Sequence, residues 1–311
     1  MKVVVLAGGV GGAKLADGLA ATLPAEEITV VVNTGDDFEH LGLHISPDLD
    51  TVVYTLAGVA NLETGWGRAG DTWNFLETLR SLGGPDWFRL GDKDLALHAE
   101  RTRLLAEGWS LSDVTAHVAQ ALGVGPRVLP MTNDRVGTVV ETADGLLPFQ
   151  EYFVARGCES AVVGFRFEGA AAARPAPGVL EAIGEADRVI FAPSNPWVSI
   201  DPILAVPGIR GALSAKTVVA VSPIVGGRAI RGPAAKMFSD LGIQPSAEAV
   251  AVHFREVLKG IVIDEADADQ EAGIRQLGLD VRVTATVMKT PADRRRLADD
   301  VISFAASLAA G

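Results

Sequence analysis

The 311-residue chain is poor in several things, and each shortage removes a class of function. It has one cysteine, Cys158, so an internal disulfide is impossible, and no Cys/His grouping has zinc spacing. That combination predicts a reducing compartment, taken as the cytoplasm, and no structural zinc. Basic residues are outnumbered, 27 Lys+Arg against 39 Asp+Glu for a net charge of −12, which argues against binding to nucleic acid, where clustered cations hold the phosphates. Long apolar runs are missing: stretches such as Val189 to Ala192 and Thr217 to Val221 fall far short of the roughly 18 residues of a membrane span. The apolar start, Val3 to Ala7, is interrupted by glycines, Lys14 and Asp17 too early for a signal-peptide core. No Ser/His/Asp or Cys/His nucleophile arrangement stands out, and the histidines at 40, 44, 98, 117 and 253 are scattered. No internal repeat and no low-complexity tract is evident.

What is present is a globular composition, 48% hydrophobic and 21% charged, patterned as alternating short β-branched runs and helix-like stretches. Val3 to Ala7, Ile28 to Thr34, Arg188 to Ala192, Thr217 to Ser222, Gly260 to Asp264 and Val281 to Ala285 read as strands. Ala13 to Thr22, Pro233 to Leu241, Ala247 to Leu258, Asp267 to Leu277 and Pro291 to about Leu308 read as helices. This alternation predicts an α/β fold, a doubly wound, mostly parallel Rossmann-like sheet. Residues 1–90 and 180–311 would form it, and 91–179 would be an inserted helical and small α+β region. Within the insertion, Asp92 to Leu122 is helical in character, and Arg135 to Glu141 and Phe149 to Val154 read as short strands.

The first candidate site is Gly8-Gly9-Val10-Gly11-Gly12-Ala13-Lys14, between a strand and a helix. Glycines there let backbone N–H groups and a helix N-terminus face an anion. It is not a P-loop, because Ala13 and Leu15 flank Lys14 where Gly-Lys-Ser/Thr is required, nor a dinucleotide fingerprint, because Lys14 stands where a third glycine belongs. A ligand-free turn is the plainer alternative, but four glycines in five positions exceed what a turn requires.

The second strand ends in Asn33-Thr34-Gly35-Asp36-Asp37, and Ser46-Pro47-Asp48-Leu49-Asp50-Thr51 follows shortly. Carboxyl ends of strands are where open α/β sheets bind ligands, and four aspartates in this span could offer oxygen ligands to Mg²⁺. Helix capping is the plainer role for each one alone, and Asp50 could combine both. Pro193-Ser194-Asn195-Pro196 and Ser222-Pro223-Ile224-Val225-Gly226-Gly227 end two later strands and suit a base, ribose or diphosphate. Trp87-Phe88-Arg89-Leu90-Gly91-Asp92 could stack a planar ring beside an anion, or simply pack its aromatics inward.

Taken together and in order, these six segments resemble the 2-phospho-L-lactate transferase family over nearly the whole chain. The resemblance implies a late step in making the deazaflavin coenzyme F-420. A phospholactyl or phosphoenolpyruvyl group would pass from a guanosine diphosphate-linked donor to the ribityl hydroxyl of the deazaflavin Fo, with release of GMP and a requirement for Mg²⁺. Carried over by segment, Asp50 would be catalytic; Asp50, Arg89 and Trp87 would contact Fo; and Asp37 and Asp50 would share the metal. Gly9, Gly11, Gly12, Lys14, Asn33, Ser194, Asn195, Ser222, Gly226 and Gly227 would hold the nucleotide and its phosphates. The family resemblance also implies a homodimer. A nucleotide-sugar-binding regulator on the same sheet is the alternative; it would keep the glycine loops without needing Trp87 to Asp94.

Overall fold

A computed structural model describes residues 1–308. Its centre is a seven-stranded parallel sheet: β1 (Val3–Ala7), β2 (Ile28–Val32), β3 (Arg127–Pro130), β4 (Arg188–Phe191), β5 (Val218–Val221), β6 (Gly260–Ile263) and β7 (Asp280–Val283). The spatial order is β7-β6-β5-β4-β1-β2-β3. The chain therefore winds outward from β1 through β2 to β3, returns to β4 on the other side of β1, and winds outward again. Such reversal leaves a crevice at the carboxyl ends of β1 and β4.

Burial on both faces explains why these strands are continuous apolar runs. In β1, Val4 and Leu6 join one core, while Val3, Val5 and Ala7 join the other. The second core is closed by α1 (Gly9–Ala20), α2 (Pro47–Leu56), α4 (Leu111–Ala121) and α5 (Pro291–Ser307), with α3 (Asp92–Ala106) packed beyond α2. α5 starts with a capping box, Thr290 Oγ1 accepting from the Asp293 N–H while the Asp293 carboxylate accepts from the Thr290 N–H.

The middle of the chain departs from the sequence reading in two places. Arg127–Pro130 pairs with Thr29–Val32 as the edge of the main sheet, so that sheet is not drawn from the two ends alone. Phe149 to Val154, read as a strand, is instead largely a helical turn over Glu151–Ala155 that buries Tyr152. Its apolar residues face a core through a turn, and alternation over so few residues does not separate the two periods. The neighbouring antiparallel sheet is formed by Gly137–Thr142, Gly145–Pro148 and Val162–Glu168.

The first helix begins at Gly9 rather than Ala13, so the glycine block is itself the first helical turn. Further along, a methyl group at Gly18 would run into the backbone carbonyl of Arg294 on α5. Gly18→Ala should therefore push the two helices apart and cost about 1–3 kcal/mol. The check is thermal unfolding, with an expected drop of roughly 3–10 °C.

Candidate active site

The crevice opens into a cavity of about 710 Å³, within the size range of small-molecule sites. Its floor is the junction of β1 and β4. The Ser194 hydroxyl accepts from the Gly8 N–H at 3.2 Å and donates to the Gly8 carbonyl at 2.8 Å, lacing the two strand ends together. Gly11 has to be glycine, because a Cβ there would overlap the Pro193 carbonyl. The first turn of α1 has no acidic side chain, so its N–H groups and the helix dipole present positive potential to the cavity. Half-buried Lys14 lies one turn later, its ammonium donating to the Met288 carbonyl at 2.9 Å.

Around this pole stand Asp36, Asp48, Asp50 and Asp94, all buried and all lining the cavity, with the Asp48 carboxylate directly beside Gly8 and Gly9. Asp48 is held by Asn33, whose amide nitrogen donates to its Oδ2 at 3.0 Å and to the Val198 carbonyl at 3.1 Å. Burial nevertheless pushes the Asp48 carboxyl up to about 7. Burial, reinforced by the charge of Asp48, also raises Asp36, whose Oδ1 has no hydrogen-bond partner. Two adjacent buried acids with an orphaned oxygen form an incomplete donor set, and hard oxygen donors suit a Mg²⁺-like cation.

Asp50 is different. Arg101 on α3, also buried, grips both its oxygens, with Nη1 at 3.1 Å from Oδ2 and Nη2 on Oδ1. His98 sits between Asp50, 3.6 Å from its Nδ1, and Asp94, 3.4 Å from its Nε2. The Tyr54 hydroxyl donates to Asp94 at 2.7 Å. Burial alone would raise Asp94, but His98, Tyr54 and Arg101 together hold it below its ordinary range. Asp50, Asp94 and His98 place donor atoms within 4.8 Å of one another, a second grouping that could hold a cation.

The third wall is aromatic. Trp87 and Phe88 are half-buried against Phe38 and His40, and both line the cavity. Arg89 reaches over the Trp73 ring at 4.6 Å, and Phe149, Gln150 and Phe153 contribute from across the opening. Packing among the aromatics and exposure to the cavity thus occur together. Asp92, in the same segment, has a structural role: its carboxylate accepts from Thr72, Asn74 and Phe75, capping Asn74–Ser81, while Asp71 accepts from the N–H groups of Lys93 and Asp94.

Of the residues singled out by sequence, Gly9, Gly11, Lys14, Asp50, Trp87, Arg89, Ser194, Asn195 and Ser222 line the one cavity. Five do not. Gly12 packs against Ala7 and Ser194, and Asn33 spends both amide protons inside the protein. Asp37 is turned away, accepting from Ser46 Oγ at 2.7 Å with His44 Nε2 at 3.2 Å. Gly226 and Gly227, with φ of 55° and 73°, form the two-residue turn of a hairpin between Ile224–Val225 and Arg228–Ala229, where positive φ at both positions demands glycine. Even the Gly226 N–H is used, by Asp267.

Sequence reasoning missed Tyr54, Asp94, His98, Arg101 and Arg231. The spacing Asp94, His98, Arg101 places three polar groups on one face of α3, a signal that a helical wheel would have exposed.

A doubly wound sheet whose switch-point cavity joins a glycine-rich helix N-terminus, buried acids and an aromatic wall has the form of a small-molecule site of an α/β enzyme. The model of the family described as 2-phospho-L-lactate transferase CofD matches residues 3–292, and the chain belongs to this transferase family. A phosphoenolpyruvate transferase from Thermobifida fusca is 45% identical over 322 residues, covering 99% of each chain. A 2-phospho-L-lactate transferase from Methanosarcina acetivorans is 39% identical over 301 residues, covering 97% of this chain and 98% of its own. A crystal structure of a UPF0052-family protein from Bacillus halodurans superposes with a TM-score of 0.63 at 18% identity, covering 97% of this chain and 98% of its own, which is a likeness of fold. No helix among the described residues is long and apolar enough to cross a membrane.

The raised Asp48 carboxyl has a pH consequence. A folded value near 7 against an ordinary 3.8 means the protonated form favours folding; that contribution is whole below about pH 4 and is lost as pH rises through 7. In metal-free buffer, thermal midpoints between pH 5.5 and 8 should fall less steeply for Asp48→Asn than for the parent. Mg²⁺ should raise the parent's midpoint more at pH 8 than at pH 5.5, because the cation competes with the proton.

Proposed function

We propose that the protein transfers a 2-phospholactyl or phosphoenolpyruvyl group, in coenzyme F-420 synthesis, from a guanosine diphosphate-linked donor to the ribityl hydroxyl of Fo, releasing GMP. The observation that carries this reading is the meeting, in one cavity, of the α1 N-terminus and Lys14 with four buried aspartates and an aromatic wall. Family membership supports the transferase chemistry, and relatives bearing both names match the chain almost end to end.

In this reaction the ribityl oxygen forms a bond to the phosphorus bearing the three-carbon group. The bond from that phosphorus to the bridging oxygen breaks, and GMP leaves with the electron pair. Charge builds on the leaving oxygen, and the N–H groups of the first turn of α1 together with Lys14 are aimed to offset it. Phosphoryl-type transfer asks for positioning and charge neutralisation more than for a covalent intermediate. Asp50, fixed by Arg101, orients the attacking hydroxyl. With Asp48 given to the cation, Asp50 is also the carboxylate placed to take that hydroxyl's proton. Trp87 and Phe88 offer faces to the deazaflavin ring, and Arg89 sits beside them. Asp36 and Asp48, with Asp50 nearby, are the residues on the cavity wall that would hold a Mg²⁺ ion, which would supply neutralisation of phosphate charge, whereas Asp37 faces away.

The test is a mass-spectrometric assay with Mg²⁺, Fo and each guanosine-linked donor in turn, watching for GMP and the Fo phosphodiester. Product from one donor names the three-carbon group; binding of GDP or Fo without turnover with either donor favours the regulatory alternative. Asp50→Asn should lower kcat by about a hundredfold or more, and Arg89→Ala should raise the KM for Fo by about tenfold with a smaller effect on the donor, as steady-state kinetics would show.

A further inference from the structure

Residues 61–70 make a compact loop over the mouth of the cavity. It is bonded to itself, Asn61 N–H to the Gly67 carbonyl at 3.0 Å and Gly65 N–H to the Asn61 carbonyl at 2.9 Å, and its two arms meet in a bridge between Ala60 and Arg68. Its base is tied to α2, where the Tyr54 carbonyl accepts from Val59 and Ala60 and the Arg68 guanidinium lies 5.1 Å over the Tyr54 ring. Lys93 adds a bond to the Ala69 carbonyl at 3.3 Å.

The tip has one polar tether. Arg231, in the loop after the Gly226–Gly227 hairpin, donates from Nη1 to the Thr64 carbonyl and from Nη2 to the Glu63 carbonyl at 3.3 Å. The guanidinium lies so close that a Cβ on Gly65 would come within 2.7 Å of Nη1 and 3.4 Å of Val10 in the first turn of α1. Arg231 therefore holds the loop tip where Gly65 lies against Val10 of the glycine turn, and it lines the cavity.

Its electrostatic setting is unbalanced. Burial, then the charges of Arg294 and Arg231, lower Lys14. Arg294 is neutralised by Asp17 at 2.9 Å, but among the described residues neither Lys14 nor Arg231 has a carboxylate within 4 Å. Two unpaired cations at one end of a cavity, in a protein of net charge −12, call for an anionic ligand group there. A guanidinium carries five N–H donors in a planar fork, so Arg231 can keep the two loop carbonyls and still grip an anion.

We propose that Arg231 is a positioning residue that clasps the 61–70 loop to an anion seated beside Lys14, so that binding the donor's diphosphate fixes the loop carrying Trp66. This rests on the nucleotide-donor reading above and adds to it an order of assembly. Trp66 meets Trp73 edge-on at 6.4 Å, and Arg89 lies over Trp73, so a fixed loop also firms the wall on which the planar acceptor is expected to stack. Donor binding would then prepare the acceptor side.

The experiment is hydrogen exchange of amides 61–70 with and without GDP and Mg²⁺, in the parent, R231A and R231K. In the parent, GDP should slow exchange across the loop by about tenfold or more. R231A should still bind GDP, about tenfold more weakly, yet leave the loop unprotected, while R231K should recover part of the protection. In turnover, R231A should raise the KM for the acceptor with little change in kcat, and R231K should lie between. Arg231 is exposed, so its replacement should leave the thermal midpoint in place. Equal protection in R231A, an unprotected loop in the GDP-bound parent, or no GDP binding at all would each overturn the clasp. Protection by GDP without turnover from either donor would sink the proposed reaction and leave the clasp standing; turnover without protection would do the reverse.

Discussion

The close approach of the first turn of α1 to the Pro193–Ser194 turn is the constraint on which the rest of the site depends. The backbones can come this near only because Gly11 has no side chain to meet the Pro193 carbonyl, and the Ser194 hydroxyl then satisfies both the N–H and the carbonyl of Gly8. With those polar groups spent, and the Gly9 N–H facing the Asp48 carboxylate, the N–H groups of the rest of the first helical turn remain directed at the crevice. The same junction seats Asp48 beside Gly8 and Gly9, so the positive helix end and the acid cluster share one cavity.

Burying that many carboxylates is costly unless the surroundings respond, and they respond in two ways. Asp50 is fixed by the Arg101 fork, and His98, Tyr54 and Arg101 hold the Asp94 carboxyl below its ordinary range. Asp36 and Asp48 are left undercompensated, both raised by burial, Asp36 further by the charge of Asp48. The division gives the cavity one rigid pair of acids and one pair that gains from a cation.

The cationic end is arranged with equal economy. Lys14 and Arg231 are paired to carbonyls rather than to carboxylates, so their charge stays available to a ligand. Loops that approach from distant parts of the chain, residues 61–70 and the turn near Arg231, meet there. The aromatic wall continues from Trp66 through Trp73 to Arg89, so the loop at 61–70 and the Arg89 segment are mechanically adjacent.

Six of the seven strands of the main sheet, the parallel doubly wound arrangement and the glycine turn were legible in the sequence, because burial on both faces imposes continuous apolar runs and close backbone approach imposes glycine; the short edge strand Arg127–Pro130 was not. Individual residues in the acidic and serine segments were legible as candidates for the same reason: they follow strands. Which of them face the cavity was not. Asp36 and Asp37 are neighbours in the chain, yet one lines the cavity and the other is taken up by Ser46 and His44. Gly226 and Gly227 answer to a hairpin turn, and the partners of Asp50 come from a helix some fifty residues away. Local sequence determines backbone preference, and so the strands, the turns and the helix start; the direction of a side chain and the company it keeps depend on long-range packing, which only the tertiary structure decided.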